Sequence, residues 1–196
     1  MTPTIVLITG HPATGKTTLA HHLTQELCLP LIWKDQIKET LLNVLGSSTN
    51  EWSRKLSAVA WALLYQQVEN LIKTDISHIV ESNFDPIYAN SHWQSLSQKY
   101  KFQLIQVRCE TEPETLLKRY SQRIHQGNRH LGHVDASNDN VFLESIKQHM
   151  DWVDVESYRL SLDTTNIEKP NYLKITEQIR NQIFNNRLAT LRAKQE

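Results

Sequence analysis

Three features that would narrow the function of this chain at once are missing from it: a surplus of charge, a long apolar run and a set of cysteines. Among its 196 residues Lys and Arg number 21 and Asp and Glu number 21, so the formal net charge is zero. That balance gives no electrostatic footprint for non-specific binding to nucleic acid or to a membrane surface. No run of about 18 apolar residues exists, and no charged-then-apolar export signal opens the chain. We therefore expect a cytoplasmic protein that has no contact with a membrane.

The two cysteines, Cys28 and Cys109, are too few for a disulfide framework. We interpret them as reduced thiols in or near the core, and no neighbouring base marks either as catalytic. A chain of this length can bury a sizeable core, and no linker, repeat or low-complexity tract divides it. The sequence therefore predicts one domain over residues 1–196.

Two of the five glycines bracket one short segment near the N-terminus. Residues 10–17 read Gly-His-Pro-Ala-Thr-Gly-Lys-Thr and fit G-x-x-x-x-G-K-[ST], the phosphate-binding loop of ATP- and GTP-using proteins. The motif requires a strand before it and a helix after it. Residues 4–9 are β-branched and apolar, as in a buried parallel strand, and residues 17–27 repeat apolar side chains at helical spacing. Both flanks support a nucleotide-binding loop.

Each fixed residue of this loop has a predicted task. Gly10 and Gly15 let the backbone turn tightly and present N–H groups to phosphate oxygens. Lys16 is expected to reach the β- and γ-phosphates, and the Thr17 hydroxyl to ligate Mg²⁺. The other residues predicted to contact the nucleotide here are His11, Pro12, Ala13, Thr14 and Thr18.

Short apolar runs alternate with long helical patterns along the rest of the chain, which is typical of βαβ units on a parallel sheet. The predicted class is therefore α/β. Strands are predicted at 4–9, 30–34, 77–82, 102–108 and 158–163, and further helices at about 52–74, 86–100, 113–125 and 172–193.

Polar residues follow the predicted strands, where open parallel sheets bind their ligands. The strongest catalytic candidate is Asp35, whose carboxylate can accept the proton of an acceptor hydroxyl as that hydroxyl attacks the γ-phosphate. A helix N-cap before Gln36 explains the same residue and is compatible with catalysis. Lys34 or Lys38 could contact the acceptor, and surface lysines would look the same in the sequence.

The other strand ends carry weaker candidates. Glu81 can hold Mg²⁺ through water or orient the substrate, although a purely structural role fits it equally well. Asn83 could contact the acceptor or form a turn. Arg108 and the segment 163–165 also fall at strand ends.

A cluster of arginines, Arg119, Arg123 and Arg129, begins on the helix predicted at 113–125. Arg119 and Arg123 are four residues apart and share a helical face, and two glycines follow. We predict a lid over about 119–138 whose arginines neutralise charge on the transferred phosphate. A solvated helix face is the alternative. The nearby His130, His133 and Asp135 match no structural zinc pattern, and we expect them to cap or hinge the lid.

Five segments of the sequence together resemble a family: GHPATGKTTLA, WKDQIKETL, VESNF, RYSQRIHQGNRHLGHVD and LDTT. They resemble the P-loop kinases of the AAA-like, predicted kinase group, which is similar to chloramphenicol phosphotransferase, zeta toxin and the kinase domain of polynucleotide kinase. The resemblance covers about residues 4–166. It implies a three-layer P-loop NTPase fold with a five-stranded parallel sheet and an arginine-bearing lid. It also implies transfer of the γ-phosphate of ATP to a hydroxyl, with Mg²⁺.

Carried over by position, the resemblance places the loop lysine and hydroxyl at Lys16 and Thr17 and the acceptor-activating aspartate at Asp35. The remaining site residues that it implies are Arg123 and Arg129 in the lid, Arg119 less closely, and Thr164 in the LDTT segment beside the adenine.

The acceptor is not identified by any motif of this sequence. A small molecule with a hydroxyl is the leading hypothesis. A 5′-hydroxyl polynucleotide kinase is a rival, against which the zero net charge counts. A non-kinase, ATP-binding regulatory module is the second rival. No N-K-x-D guanine-reading motif is present, and the oligomeric state is not indicated. Four tryptophans could line an acceptor pocket: Trp33, Trp52, Trp61 and Trp93. Packing in the core would also explain their presence.

Overall fold

Five parallel strands form one sheet in the order β2-β3-β1-β4-β5. In this computed structural model the strands are β1 (Thr4–Thr9), β2 (Leu31–Trp33), β3 (His78–Glu81), β4 (Gln103–Glu110) and β5 (Tyr158–Asp163). The structure describes residues 2–47, 49–125, 146, 150–166 and 171–192. All five predicted strands are confirmed: β1 and β5 have the predicted ends, and the ends of the other three differ by one or two residues.

Six helices complete the described structure: α1 (Lys16–Leu27), α2 (Lys34–Leu45), α3 (Asn50–Lys73), α4 (Pro86–Lys99), α5 (Pro113–His125) and α6 (Tyr172–Arg192). Local chemistry explains where two of them begin. The Thr49 hydroxyl accepts a hydrogen bond from the N–H of Trp52 at the start of α3. At the start of α4, Asp85 caps the N–H of Ile87, and Pro86 occupies the first turn.

The start of α2 differs from the prediction. This helix begins at Lys34, with Trp33 in the N-cap position, so Asp35 lies inside the first turn. The N-cap interpretation of Asp35 is therefore wrong. A carboxylate in the first turn is still favoured by the positive end of the helix dipole.

Helices cover both faces of the sheet. Every residue of β1 is buried, and successive side chains point to opposite faces. Val6 and Ile8 pack with residues of α1 and α6, whereas Ile5 and Leu7 pack with residues of α3 and α4. The three layers follow from this alternation and confirm the predicted α/β, three-layer P-loop fold.

Helix α3, predicted at about 52–74, packs on the sheet through a narrow apolar stripe. From Leu56 to Ile72 its buried residues follow i, i+4 spacing, and Val59 is 44% exposed. Among the described residues, no helix is both long enough and apolar enough to cross a membrane.

Candidate active site

The pairing of the strands brings the predicted site residues to one edge of the sheet. Ile8, near the end of β1, pairs with Glu81 at the end of β3, and Trp33 at the end of β2 also pairs with Glu81. The phosphate-binding loop follows β1 directly and Asp35 follows β2 by two residues. Loop, Asp35 and Glu81 therefore meet at the carboxyl ends of the three strands, where this kind of sheet binds ligands.

The backbone of the loop turns through three positive φ angles, at Gly10 (141°), Ala13 (66°) and Gly15 (82°). The two glycines are required for different reasons. A Cβ at Gly10 would lie 2.5 Å from the carbonyl oxygen of Cys109, so the adjacent strand leaves no room for a side chain. At Gly15 nothing lies within 4 Å, and only the left-handed backbone favours glycine.

We expect Gly10→Ala to destabilise the protein far more than Gly15→Ala. The Gly10 variant must move the backbone of β4 as well as strain its own, at a cost of about 2–4 kcal/mol. For a chain of this size that lowers Tm by about 5–15 °C, whereas the strain at Gly15, about 1–2 kcal/mol, lowers it by about 2–8 °C. Thermal unfolding of the two variants side by side measures this, and equal Tm values would contradict the steric explanation.

Lys16 folds back over the loop that it follows. Its Nζ donates to the carbonyl oxygen of His11 at 2.9 Å, and the Thr14 hydroxyl donates to the same oxygen at 2.8 Å. Only 9% of Lys16 is exposed. The loop is thus held in a tight curve, with the ammonium group on its concave side where phosphate oxygens would bind.

Thr17 and Glu81 form an oxygen pair beside the loop. The Thr17 hydroxyl donates to Oε2 of Glu81 at 3.0 Å, and Glu81 is 5% exposed. Burial raises the pKa of the Glu81 carboxyl, the charge of Lys16 opposes that rise, and the charge of Asp35 adds to it. A hydroxyl and a carboxylate are ligands that Mg²⁺ accepts, so this pair fits the predicted metal site.

We expect Glu81→Gln to raise Tm at pH 8 in the absence of Mg²⁺, by about 2–4 °C for each kcal/mol of burial penalty removed. Because the pKa of Glu81 is raised in the folded state, the penalty is full above the folded pKa and disappears as the pH falls below the unfolded pKa. The difference from wild type should therefore shrink on acidification, as a Tm series from pH 8 to pH 5 would record.

Glu177→Gln, on the exposed surface of α6 beyond its first turn, is the matched control and should leave Tm unchanged at every pH. A Glu81→Gln variant less stable than wild type at pH 8 would mean that the bond to Thr17 and the charge of Lys16 outweigh burial.

The side chain of Asp35 lies at the rim of the site and is 51% exposed. Its Oδ1 is 3.6 Å from Nζ of Lys34, and that Nζ lies 6.0 Å from the ring centre of Trp61 on α3. Lys38 is 6% exposed, so it is not the ordinary surface lysine that the sequence allowed. Lys34 therefore links the candidate base to an aromatic side chain that the sequence did not connect with it.

A groove of about 1190 Å³ lies between α3 and α4. Asn83, which follows β3, lines it together with Trp61, Tyr65 and His92. Tyr65 stacks on Trp61 (ring centres 5.7 Å apart) and on His92 (4.2 Å). The sequence reasoning missed Tyr65 and His92, although the four-residue spacing of Trp61 and Tyr65 on one helix could have indicated the first contact.

The other tryptophans singled out in the sequence lie elsewhere. Trp93 is fully buried in the core. Trp33 packs edge-on against His21, and Trp52 donates its ring N–H to the carbonyl of Gly46. Trp61 is thus the member of this group that lines the groove.

Two of the predicted lid arginines fall on α5. Arg119 donates to the carbonyl oxygens of Thr164 and Thr165 at 2.6 and 2.9 Å. Arg123 is exposed on α5, and its charge opposes the rise in the pKa of Glu81. Arg129 and the group His130, His133 and Asp135 lie outside the described residues. Among the residues that are described, no group of three His, Cys, Asp or Glu side chains could hold a metal ion.

Two further strand-end residues, Thr164 and Arg108, have defined partners. Thr164 is 3% exposed, and its hydroxyl contacts the Thr14 carbonyl behind the loop. Arg108 donates to Glu110 and to the carbonyl of Met150 and lies 4.3 Å from the Trp152 ring centre, so it anchors the chain there.

The cysteines are free thiols. Burial raises the pKa of Cys109 to about 12, so this thiol remains protonated and cannot act as a nucleophile at neutral pH. Cys28 is exposed at the end of α1, outside the core in which the sequence had placed it.

The phosphate-binding loop between β1 and α1, the order of the sheet and the carboxylates at the ends of β2 and β3 define a P-loop kinase fold. The chain belongs to the AAA domain family, whose model matches residues 5–145. No curated protein matches the sequence significantly.

Solved structures agree with this assignment. A protein from Chloroflexus aurantiacus, provisionally named a kinase, is similar at 36% identity with a TM-score of 0.87, over 92% of this chain and 98% of that chain. Shikimate kinase from Acinetobacter baumannii, solved with shikimate, has a TM-score of 0.57 at 21% identity over 96% of both chains. APS kinase from Mycobacterium tuberculosis, solved with AMPPNP and APS, has a TM-score of 0.56 at 12% identity over 92% of this chain and 96% of that one. The last two support the fold alone.

Proposed function

We propose that this protein is an ATP-dependent phosphotransferase that moves the γ-phosphate of ATP to a hydroxyl of a small-molecule acceptor. The observation that carries the proposal is the convergence of three groups at one edge of the sheet. Thr17 bonds to Glu81, and Glu81 pairs with Trp33, two residues before Asp35. A phosphate-binding loop, a carboxylate beside it and a second carboxylate at the rim are the parts that a kinase needs.

The loop and Lys16 account for nucleotide binding. Loop N–H groups from Gly10 to Thr18 and the positive end of α1 would hold the phosphates. Lys16 would exchange the carbonyl of His11 for the β- and γ-phosphate oxygens. Thr17 and Glu81 would hold Mg²⁺, directly or through water, and the bound ion neutralises charge on the phosphates.

Asp35 is the group that would activate the acceptor. Its half-exposed carboxylate accepts the hydroxyl proton while the acceptor oxygen forms a bond to the γ-phosphorus. The bond between that phosphorus and the bridging oxygen breaks, and ADP leaves. The ammonium group of Lys34, 3.6 Å away, helps to fix the position of the carboxylate.

We propose that the acceptor binds in the groove between α3 and α4. Trp61 lines that groove, and Nζ of Lys34 lies 6.0 Å from the Trp61 ring centre and 3.6 Å from Oδ1 of Asp35, which connects the groove with the candidate base. Aromatic rings in the groove suit an acceptor with a face that can stack on them, such as the base of a nucleoside, the C–H face of a sugar or the ring of an aromatic alcohol.

The lid remains a prediction. The charge of Arg123 on α5 opposes the rise in the pKa of Glu81, and this arginine would neutralise charge on the transferred phosphate. We propose that Arg129 does the same, within a single domain over 1–196 whose lid spans about 119–138.

Transfer of labelled γ-phosphate from ATP to a panel of acceptors tests the proposal. The panel contains nucleosides, sugars, hydroxylated aromatic antibiotics and 5′-hydroxyl oligonucleotides, and Lys16→Ala serves as the blank. Label on a small-molecule member supports the proposal and identifies the acceptor class. Label only on oligonucleotides would make the protein a polynucleotide kinase, and release of inorganic phosphate alone would favour a regulatory module.

A further inference from the structure

A side chain from the far end of the chain contacts the back of the phosphate-binding loop. The hydroxyl of Thr164, just after β5, lies 2.8 Å from the carbonyl oxygen of Thr14, 150 residues earlier, and both residues are buried. The same hydroxyl is 2.9 Å from the carbonyl of Glu110. That carbonyl already accepts the backbone N–H of Thr164 at 2.8 Å. The Thr164 hydroxyl has one proton to donate, and the Thr14 carbonyl is the acceptor that needs it more, because the Glu110 carbonyl already has a donor.

The direction of the Thr14 carbonyl decides how the loop presents its next N–H group. The C=O of Thr14 and the N–H of Gly15 belong to one planar trans peptide, in which the two groups point in opposite directions. Holding the carbonyl toward the interior turns the Gly15 N–H outward, to the side where phosphate binds. With glycine at φ 82° on one side of it, this peptide would otherwise rotate with little steric hindrance.

Neighbouring groups fix Thr164 in turn. The Thr111 hydroxyl lies 2.7 Å from that of Thr164 and can supply the proton that the Thr164 oxygen accepts. From α5, the Arg119 guanidinium donates to the carbonyls of Thr164 and Thr165. The segment after β5 is therefore held on both sides, which makes it a firm support for the loop.

We infer that Thr164 is a positioning residue that holds the Thr14–Gly15 peptide in the orientation that binds phosphate. It acts on the triphosphate through the loop, and its own side chain is too buried to be a major adenine contact. The inference rests on the proposed function only in that the ligand of the loop is a nucleoside triphosphate.

Thr164→Val keeps the shape of the side chain and removes the hydroxyl. We expect the Kd values for magnesium-bound ATP and for magnesium-bound inorganic tripolyphosphate to rise by the same factor, about 10-fold, because the Thr14–Gly15 peptide rotates away once its carbonyl has no donor and must be turned back when phosphate binds. Thr164→Ser should restore both to within about 2-fold. Without any ligand, amide hydrogen exchange over residues 10–18 should be faster in Thr164→Val than in wild type.

Thr165→Val is the matched control, because the Thr165 hydroxyl accepts from the N–H of Glu112 and does not contact the loop. It should change neither loop exchange nor tripolyphosphate binding. Weaker ATP binding with unchanged tripolyphosphate binding in Thr164→Val would make Thr164 an adenine contact and overturn the inference, as would unchanged exchange in the loop. No acceptor is involved, so the absence of phosphate transfer would count against the proposed function and leave this inference standing.

Discussion

Replacing Asp35 with Asn is expected to lower kcat for phosphate transfer by about 10²–10⁴-fold, the usual contribution of a general base. Asparagine has nearly the same shape and cannot accept the acceptor's proton. The side chain is 51% exposed and does not cap α2, so the substitution costs little stability. The Kd for magnesium-bound ATP should stay within about 2-fold of wild type, because Asp35 acts on the acceptor.

Steady-state transfer kinetics and calorimetric titration with ATP, measured on the same preparation, separate the two effects. Glu39→Gln, one turn further along α2, is the control and should retain wild-type kcat. If Asp35→Asn transferred phosphate at the wild-type rate, the base would have to be another group. A parallel loss of ATP binding would instead assign Asp35 to the nucleotide site.

The fold could be predicted from the sequence because its signals are local. The apolar run at residues 4–9, the glycine-bracketed loop and the helical spacing after Lys16 occur together within the first 27 residues and specify a strand, a turn and a helix. The rule that ligands bind at the carboxyl ends of parallel strands then selected Asp35 and Glu81. The structure places both at the edge that carries the loop.

Contacts between distant residues could not be predicted in this way. Thr14 and Thr164 are 150 positions apart, and nothing in either local sequence indicates that one hydroxyl supports the other's carbonyl. Lys34 and Trp61 meet only because α2 and α3 pack beside one another. Periodicity reports which face of an element is apolar and does not report which element covers it.

The first turn of α2 shows a different limit. An aspartate before a helical pattern is a common N-cap, yet the helix extends two residues further toward the N-terminus, as helix ends often do relative to sequence patterns. Glu81 was ambiguous because burial and metal binding both suit a carboxylate at a strand end. Its bond to Thr17 connects it with the phosphate-binding loop, which only the folded chain could reveal.

Replacing Lys16 with Met is expected to reduce kcat by about 10²–10³-fold and to weaken ATP binding by about 10–100-fold. Methionine keeps most of the aliphatic length and removes the charge. Two separate losses contribute. Before ATP binds, the loop loses the 2.9 Å bond from Nζ to the carbonyl of His11, which preforms its curve. In the complex, where Nζ would have exchanged that carbonyl for phosphate oxygens, the triphosphate loses its nearest ammonium group.

A series of ATP, ADP and AMP separates these two losses, because Nζ is expected to reach only the β- and γ-phosphates. Calorimetric Kd values should show the largest penalty for ATP, a smaller one for ADP and almost none for AMP. Lys16→Arg keeps the charge and should recover part of the ATP affinity. An equal penalty along the whole series would mean that Lys16 acts mainly by closing the loop on His11. Lys16 would then have no direct role in catalysis, and its role in shaping the loop would stand.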